Sequence, residues 1–217
     1  MNDTVIFDLD GVIIDSEPIH FQIEQQMFRE LNIDISFSEH SSFVGTSSQN
    51  MWESIVNKHH LTWQPGELVK KNHQRYMDYL QGNRLGPIEG IEELIRALYE
   101  DNLQLLVASS SPKAVIEIVL QKFDFRNYFK ALVSGTDLPH SKPHPDIFLK
   151  AAQLTGSAQG KCVVIEDSEN GVAAARAAGM KCIGFLNPNS GQQDLGRAHI
   201  IIKSFKELDS KRIRNLE

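Results

Sequence analysis

A chain of 217 residues, 41% hydrophobic and 23% charged, has the length for one large domain or a core with a smaller companion, and a composition near the globular average rather than the disordered one. Its formal charge of -6 argues against nonspecific binding to nucleic acid, which requires a net basic surface. The sequence has no apolar run long enough to span a bilayer, and ordered patterning begins almost at once at Val5-Ile6-Phe7, so neither a membrane helix nor a signal peptide is expected, and a cytoplasmic location is.

The run from Thr4 to Asp8 predicts a first strand. For about ninety residues after it no strand is convincing, far more chain than a single crossover helix needs. Ser16-Glu17-Pro18 opens a helix carrying Ile19, Ile23, Met27 and Leu31 on one side, and two further amphipathic stretches follow at Asn50 to His60 and Pro65 to Leu80. We therefore expect a helical domain at residues 15–85, inserted into a core made of residues 1–14 and 86–217. Glu92 to Asp101 is helical, with Leu94, Ile95 and Leu98 on one face, and Gln104 to Ser109 is the second strand. Ser111 then reads as an N-cap and Pro112 as the first turn of a helix bearing Val115, Ile116, Val119, Leu120 and Phe123. Further strands are expected at Ala131 to Ser134, Lys161 to Glu166 and Lys181 to Phe185, with a sixth at His199 to Lys203. An alanine-rich helix follows Ser168 and stops at Gly179. Strands alternating with helices predict an α/β fold, a doubly wound parallel sheet. Cys162 and Cys182 both fall in strands and are expected to be reduced core residues.

Open parallel sheets collect ligands beyond the carboxyl ends of their strands. The first strand ends on Asp8, with Asp10 two residues later, a spacing that in extended backbone turns both carboxylates to one side. Ser109-Ser110-Ser111 ends the second strand, Glu166-Asp167-Ser168 the fourth, and the loop Ser141-Lys142-Pro143-His144-Pro145 follows the third. Each signal has an ordinary explanation: Ser168 caps a helix, Lys142 is a solvated charge, three serines make a turn. All of them at the strand ends of one sheet point instead to a site. Four acids gathered there repel one another unless a cation intervenes, and Mg2+, which prefers oxygen ligands, is the natural candidate. Lys142, Ser109 and neighbouring backbone N–H groups are suited to a phosphoryl group beside it.

These residues resemble the motifs of the haloacid dehalogenase superfamily. Phe7-Asp8-Leu9-Asp10-Gly11-Val12 resembles the first motif, Leu105-Leu106-Val107-Ala108-Ser109-Ser110 the second, Ser141-Lys142-Pro143 the third and Ile165-Glu166-Asp167-Ser168 the fourth. The resemblance covers essentially the whole chain and implies a Rossmann-like core with a helical cap after the first motif. Asp15-Ser16-Glu17, His20 and Gly45-Thr46-Ser47 are similar to the β-phosphoglucomutase-like branch. The resemblance makes Asp8 the nucleophile that becomes an aspartyl phosphate, and Asp10 the acid and then base. It assigns Mg2+ to Asp8, the Asp10 carbonyl, Asp167 and Glu166, and phosphate oxygens to Ser109, Ser110 and Lys142. His20 would aid closure of the cap or orient Asp10, and Gly45, Ser47 and Lys71 would serve substrate binding in the cap. The expected partner is a small phosphorylated metabolite such as a sugar phosphate, and the expected state a monomer.

Asp10 argues against dehalogenation, since the halide-cleaving relatives generally lack an acid there. Phosphonate cleavage in relatives uses a cap lysine, and Lys58, Lys70 and Lys71 carry no signature for that role. Phosphatase against β-phosphoglucomutase is the substantive choice. In the mutase a basic residue follows the cap-loop motif, whereas Thr46-Ser47-Ser48-Gln49-Asn50 contains none; this favours the phosphatase, with Lys71 the residue that would compensate in a mutase. A silent binding protein of the same fold would be expected to lack one of the core acids, and none is lacking. Trp52, Trp63, Phe37 and Phe43 are read as cap core rather than as a partner surface.

Overall fold

The computed structural model describes residues 1–43, 47–82 and 85–217. By internal contacts the chain divides into two compact units, residues 1–15 with 86–217, and residues 16–85.

The first unit is built on six strands: β1 (Thr4–Phe7), β2 (Gln104–Ser109), β3 (Ala131–Ser134), β4 (Cys162–Glu166), β5 (Lys181–Phe185) and β6 (Ile200–Ile202). Their order is β3-β2-β1-β4-β5-β6 and every pairing is parallel. The four residues of β1 are buried on both faces, which is why its sequence is an unbroken run of β-branched and aromatic residues rather than an alternation. At one edge β6 is only three residues long and leaves Ile201 exposed, a short edge that offers little template for further pairing.

Among the described residues, nine α-helices accompany the sheet. In the helical unit lie α1 (Glu17–Glu30), α2 (Phe37–Ser41), α3 (Ser48–His59) and α4 (Pro65–Gly82); α5 (Ile91–Glu100), α6 (Lys113–Lys122), α7 (Asp146–Thr155), α8 (Glu169–Ala177) and α9 (Ser210–Arg214) belong to the sheet unit. The expected strands and long helices are present, within a residue or two at their ends. Two details differ. The five-residue α2, capped by Ser36, is too short to show a helical period. Helix α6 begins with Pro112 at its N-cap and has no side-chain cap, so Ser111 is not the cap its position implied; its hydroxyl is engaged elsewhere.

The expected core role of the insertion's aromatic residues holds for Trp52 alone. Trp52 is fully buried, with Phe28 edge-on at 5.6 Å, whereas Phe37 is 74% exposed and Trp63 41% exposed, and Phe43 is half-buried. Phe37, at the start of α2, lies against Phe21 with ring centroids 5.4 Å apart. Cys162 and Cys182 are free thiols in the core. Burial pushes the Cys162 thiol up to about 11 and raises that of Cys182 as well, which keeps both in the unreactive protonated form.

One core residue has a double role. Phe148 of α7 is fully buried among Ile6, Ala108 and Val164, and its ring lies 5.2 Å below the ammonium of Lys142. We expect Phe148→Ala to lower stability by about 3–5 kcal/mol and Phe148→Leu, which keeps most of the apolar volume and loses the ring face, by about 1–2 kcal/mol, as read from urea unfolding midpoints at constant slope.

Candidate active site

The strand order reverses at β1, whose two neighbours β2 and β4 leave in opposite directions, and the crevice at such a switch point is where open α/β sheets bind ligands. Register does the rest. Phe7 is level with Val107 of β2 and Ile165 of β4, and the Asp8 N–H donates to the Ile165 carbonyl at 3.0 Å, so Asp8 emerges from the sheet beside Ala108-Ser109 and Glu166-Asp167. Immediately beyond, the chain reverses. The Leu9 carbonyl accepts from the N–H groups of Ile13 and Ile14, the Gly11 N–H donates to Ile14 at 2.7 Å, and Gly11 takes a left-handed φ of 78°.

Lys142 reaches this rim from the loop before α7, whose Lys142–Pro143 bond is cis. It is no solvated charge: its side chain is 7% exposed, and Nζ donates to Asp8 Oδ1 at 2.7 Å, Glu166 Oε1 at 2.6 Å and the Ala108 carbonyl at 3.3 Å. The other oxygen of Glu166 accepts from the Ser168 N–H at 2.9 Å and the Ser168 hydroxyl at 2.8 Å, while that hydroxyl also caps α8 by accepting from the Gly171 N–H. Asp167 Oδ2 accepts from the Ser190 hydroxyl.

Asp10 is held separately. Its Oδ2 accepts from the Ser111 hydroxyl at 2.7 Å and from Ser109 at 3.3 Å, and Ser109 in turn accepts from the Ser111 N–H. Its Oδ1 is buried and accepts no hydrogen bond within the described residues. The two aspartates of the first motif thus answer to different partners: Asp8 to a cation, Asp10 to hydroxyls.

Burial raises the Asp8 carboxyl to about 7, with Glu166 and Asp10 adding repulsion and Lys142 opposing. Asp167 is likewise raised, by burial first and then by Glu166 and Asp8, against Ser190 and Lys142. Burial alone would push Lys142 toward neutrality, but the two carboxylates it touches outweigh that and hold it above its ordinary value. Asp8, Glu166 and Asp167 bring carboxylate oxygens within 4.8 Å of one another, so three acids face one ammonium with a formal excess of two negative charges. An all-oxygen, buried and anionic donor set of this kind fits a hard divalent cation.

The remaining expected site residues are placed as follows. Ser110 is exposed at the end of β2. Ser47 caps α3, its hydroxyl accepting from the Asn50 N–H at 3.2 Å. His20 lies against the ring of Tyr76, centroids 4.2 Å apart. Lys71 donates to Glu30 at 3.2 Å and shares that carboxylate with Arg75. Gly45 lies outside the described residues. Three contributors were not singled out from the sequence: Ser111 as a donor to Asp10, Ser190 on Asp167, and the turn that holds Asp15, where Asn189 donates to Asp15 Oδ2 at 2.5 Å and Asn187 to the Gly11 carbonyl at 3.0 Å. The signal for the last two was available. Asn187-Pro188-Asn189-Ser190 follows the end of β5, so the strand-end criterion that found Glu166 and Asp167 applies to it equally.

The model of the haloacid dehalogenase-like hydrolase family matches residues 5–185. The chain belongs to that family. Within it, the chain is 34% identical over 212 residues to hexitol phosphatase B of Escherichia coli (strain K12), covering 95% of this chain and 94% of that protein. It is 31% identical over 210 residues to β-phosphoglucomutase of Bacillus subtilis (strain 168), with 94% and 90% covered. Among solved structures, a haloacid dehalogenase family hydrolase from Deinococcus radiodurans R1 with bound phosphate and sodium superposes with a TM-score of 0.77 at 29% identity, over 95% of this chain and 93% of that one. The chain is therefore an enzyme of a family whose similar members include a phosphatase and a phosphomutase.

Two glycines of this family member are occupied by its acids. A Cβ on Gly171 would stand 1.8 Å from Glu166 Oε1, and one on Gly11 would stand 1.9 Å from Asp167 Oδ2, at a φ that already disfavours side chains. Gly171→Ala is expected to displace Glu166 without unfolding α8, and Gly11→Ala to displace Asp167; both should weaken magnesium binding by about tenfold or more, measured by calorimetric titration, with far-UV circular dichroism unchanged. Lys142→Met leaves Asp8 and Glu166 buried with no cation, and should lower stability in EDTA by about 3–5 kcal/mol in urea unfolding.

Proposed function

We propose that the chain is a magnesium-dependent phosphatase that hydrolyses small phosphate monoesters, sugar phosphates foremost, through an aspartyl phosphate on Asp8. The observation that carries this reading is the division of labour within the first motif: Asp8 is fixed against Lys142 among the buried acids, and Asp10 stands apart in a hydroxyl-lined niche. Asp8 is the group that forms a bond to phosphorus. As the bond between phosphorus and the ester oxygen breaks, Asp10 gives its proton to the departing alcohol. In the second half Asp10 takes a proton from water, the water oxygen bonds to phosphorus, and the Asp8 carboxylate leaves with inorganic phosphate as the product. Lys142 and Ser109 are the side chains we assign to the phosphoryl oxygens, with Ser110 at the rim. Asp8, Glu166 and Asp167, together with the Asp10 carbonyl, would hold Mg2+, which when bound screens the charge of nucleophile and phosphate from one another.

Several features support hydrolysis over mutation. Lys71, the residue a mutase would need for a second phosphate, already shares Glu30 with Arg75, and the stretch from Ser47 to Asn50 carries no basic residue. Similarity to hexitol phosphatase B supports a phosphorylated sugar or polyol as the substrate class. Similarity to β-phosphoglucomutase keeps conversion of β-glucose 1-phosphate to glucose 6-phosphate as the second reading.

The test combines products with variants. With magnesium and a panel of hexose, pentose and hexitol phosphates, wild type should release inorganic phosphate. Conversion of β-glucose 1-phosphate to glucose 6-phosphate without release, in the presence of a trace of bisphosphate, would establish the mutase instead. Asp8→Asn should lower kcat by about a thousandfold or more. Asp10→Asn should lower it by about a hundredfold or more, with a smaller loss for substrates whose leaving group needs no proton, such as a nitrophenyl phosphate. Equal losses on both kinds of ester would remove Asp10 from the acid role.

A further inference from the structure

A second group of metal-ligating side chains lies on the same loop as Lys142 but faces solvent. His140 Nδ1 is 2.9 Å from Asp146 Oδ2, and His144 Nδ1 is 2.9 Å from Asp146 Oδ1, so two imidazoles turn the same ring nitrogen to the two oxygens of one carboxylate. The rings lie 4.3 Å apart, tilted by 34°, and the three ligand atoms fall within 4.8 Å of one another. The side chains of His140 and His144 are 61% and 48% exposed, which leaves an open approach for an ion and room for waters to complete its shell.

Both 2.9 Å contacts are at hydrogen-bond distance and go to different oxygens of Asp146, so an ion with bonds of about 2.0–2.1 Å would replace these contacts and draw together ligand atoms that already lie within 4.8 Å of one another. The donor set also selects the metal. Imidazole nitrogen favours zinc, cobalt, nickel and copper over magnesium, whereas the buried cluster of Asp8, Glu166 and Asp167 offers oxygen alone. One chain thus carries two donor sets of opposite preference.

We propose that His140, His144 and Asp146 form a binding site for a borderline divalent cation of the zinc class, distinct from the all-oxygen cluster. The ligands flank Ser141-Lys142-Pro143, so a bound ion ties the start of this segment to the first turn of α7 and holds in place the loop that delivers Lys142 to Asp8 and Glu166. This does not depend on the phosphatase reading, because the ligands and the test are independent of turnover.

The test is calorimetric titration of the full chain with Zn2+ in saturating Mg2+, which occupies the oxygen cluster. One zinc ion per chain should bind. Since even outer partners of metal ligands are worth about 10–100-fold in affinity, His140→Asn and His144→Asn should each weaken binding by at least about tenfold. The control His73→Asn, at an exposed histidine of α4, should bind as wild type does. Thermal unfolding without zinc should be the same for all four proteins, since the substituted rings are exposed. Absence of zinc uptake by wild type in magnesium, or equal affinity in wild type and both ligand variants, would overturn the site.

Discussion

Like charges placed close together out of water repel strongly, and this structure puts three carboxylates within 4.8 Å of one another at the ends of β1 and β4, all but excluded from solvent. Lys142 supplies one compensating charge by touching two of the acids at once. Burial first, and then the neighbouring acids, hold the carboxyls of Asp8 and Asp167 above their ordinary values, against the pull of that ammonium. Much of the surrounding structure can be understood as support for this arrangement: hydroxyls on Glu166 and Asp167, a backbone N–H on Glu166, an aromatic face beneath the lysine, and a separate set of serines that keeps Asp10 out of the cluster.

The sheet makes such a concentration of charge tolerable by fixing where each group enters. Because β1 is central and its neighbours leave in opposite directions, three strand ends meet without any long loop having to be ordered for the purpose. Parallel register then sets the heights: Asp8 follows Phe7, which is level with Ile165, so the first acid and the pair Glu166-Asp167 arrive together. Glu166 is the last residue of β4, Asp8 and Asp167 directly follow strand ends, and Lys142 comes from a loop further from any strand. That loop is anchored at its far end by the packing of α7, whose Phe148 is fully buried under the sheet.

The sheet and the acids were legible in the sequence because buried parallel strands are continuous apolar runs, and the first polar residue after each run marks the rim. Ser111 is a different case. Followed by proline, it carries every sign of a helix cap, and nothing local shows that Asp10, a hundred positions away in the chain, competes for its hydroxyl. Ser190 and Asn189 were missed for a different reason, since their turn follows a strand end whose residues are uncharged and attract no notice. The helical unit was legible in its long helices and not in its surface: Phe37 has the composition of a core residue, but the short α2 leaves it in solvent, and exposure of this kind is decided by tertiary packing rather than by residue type.

Gly11 and Gly171 carry no chemistry, yet the volume a methyl group would fill at each is already filled by a carboxylate. Their identity is therefore tied to the length of the acid opposite. An aspartate at position 166 would draw its oxygens back toward the end of β4 by one methylene and clear the space above α8. Positions 166 and 171 should accordingly drift as a pair across evolution, glutamate with glycine or aspartate with alanine, and a catalogue of catalytic groups alone would not reveal why a helix glycine travels with a strand-end acid.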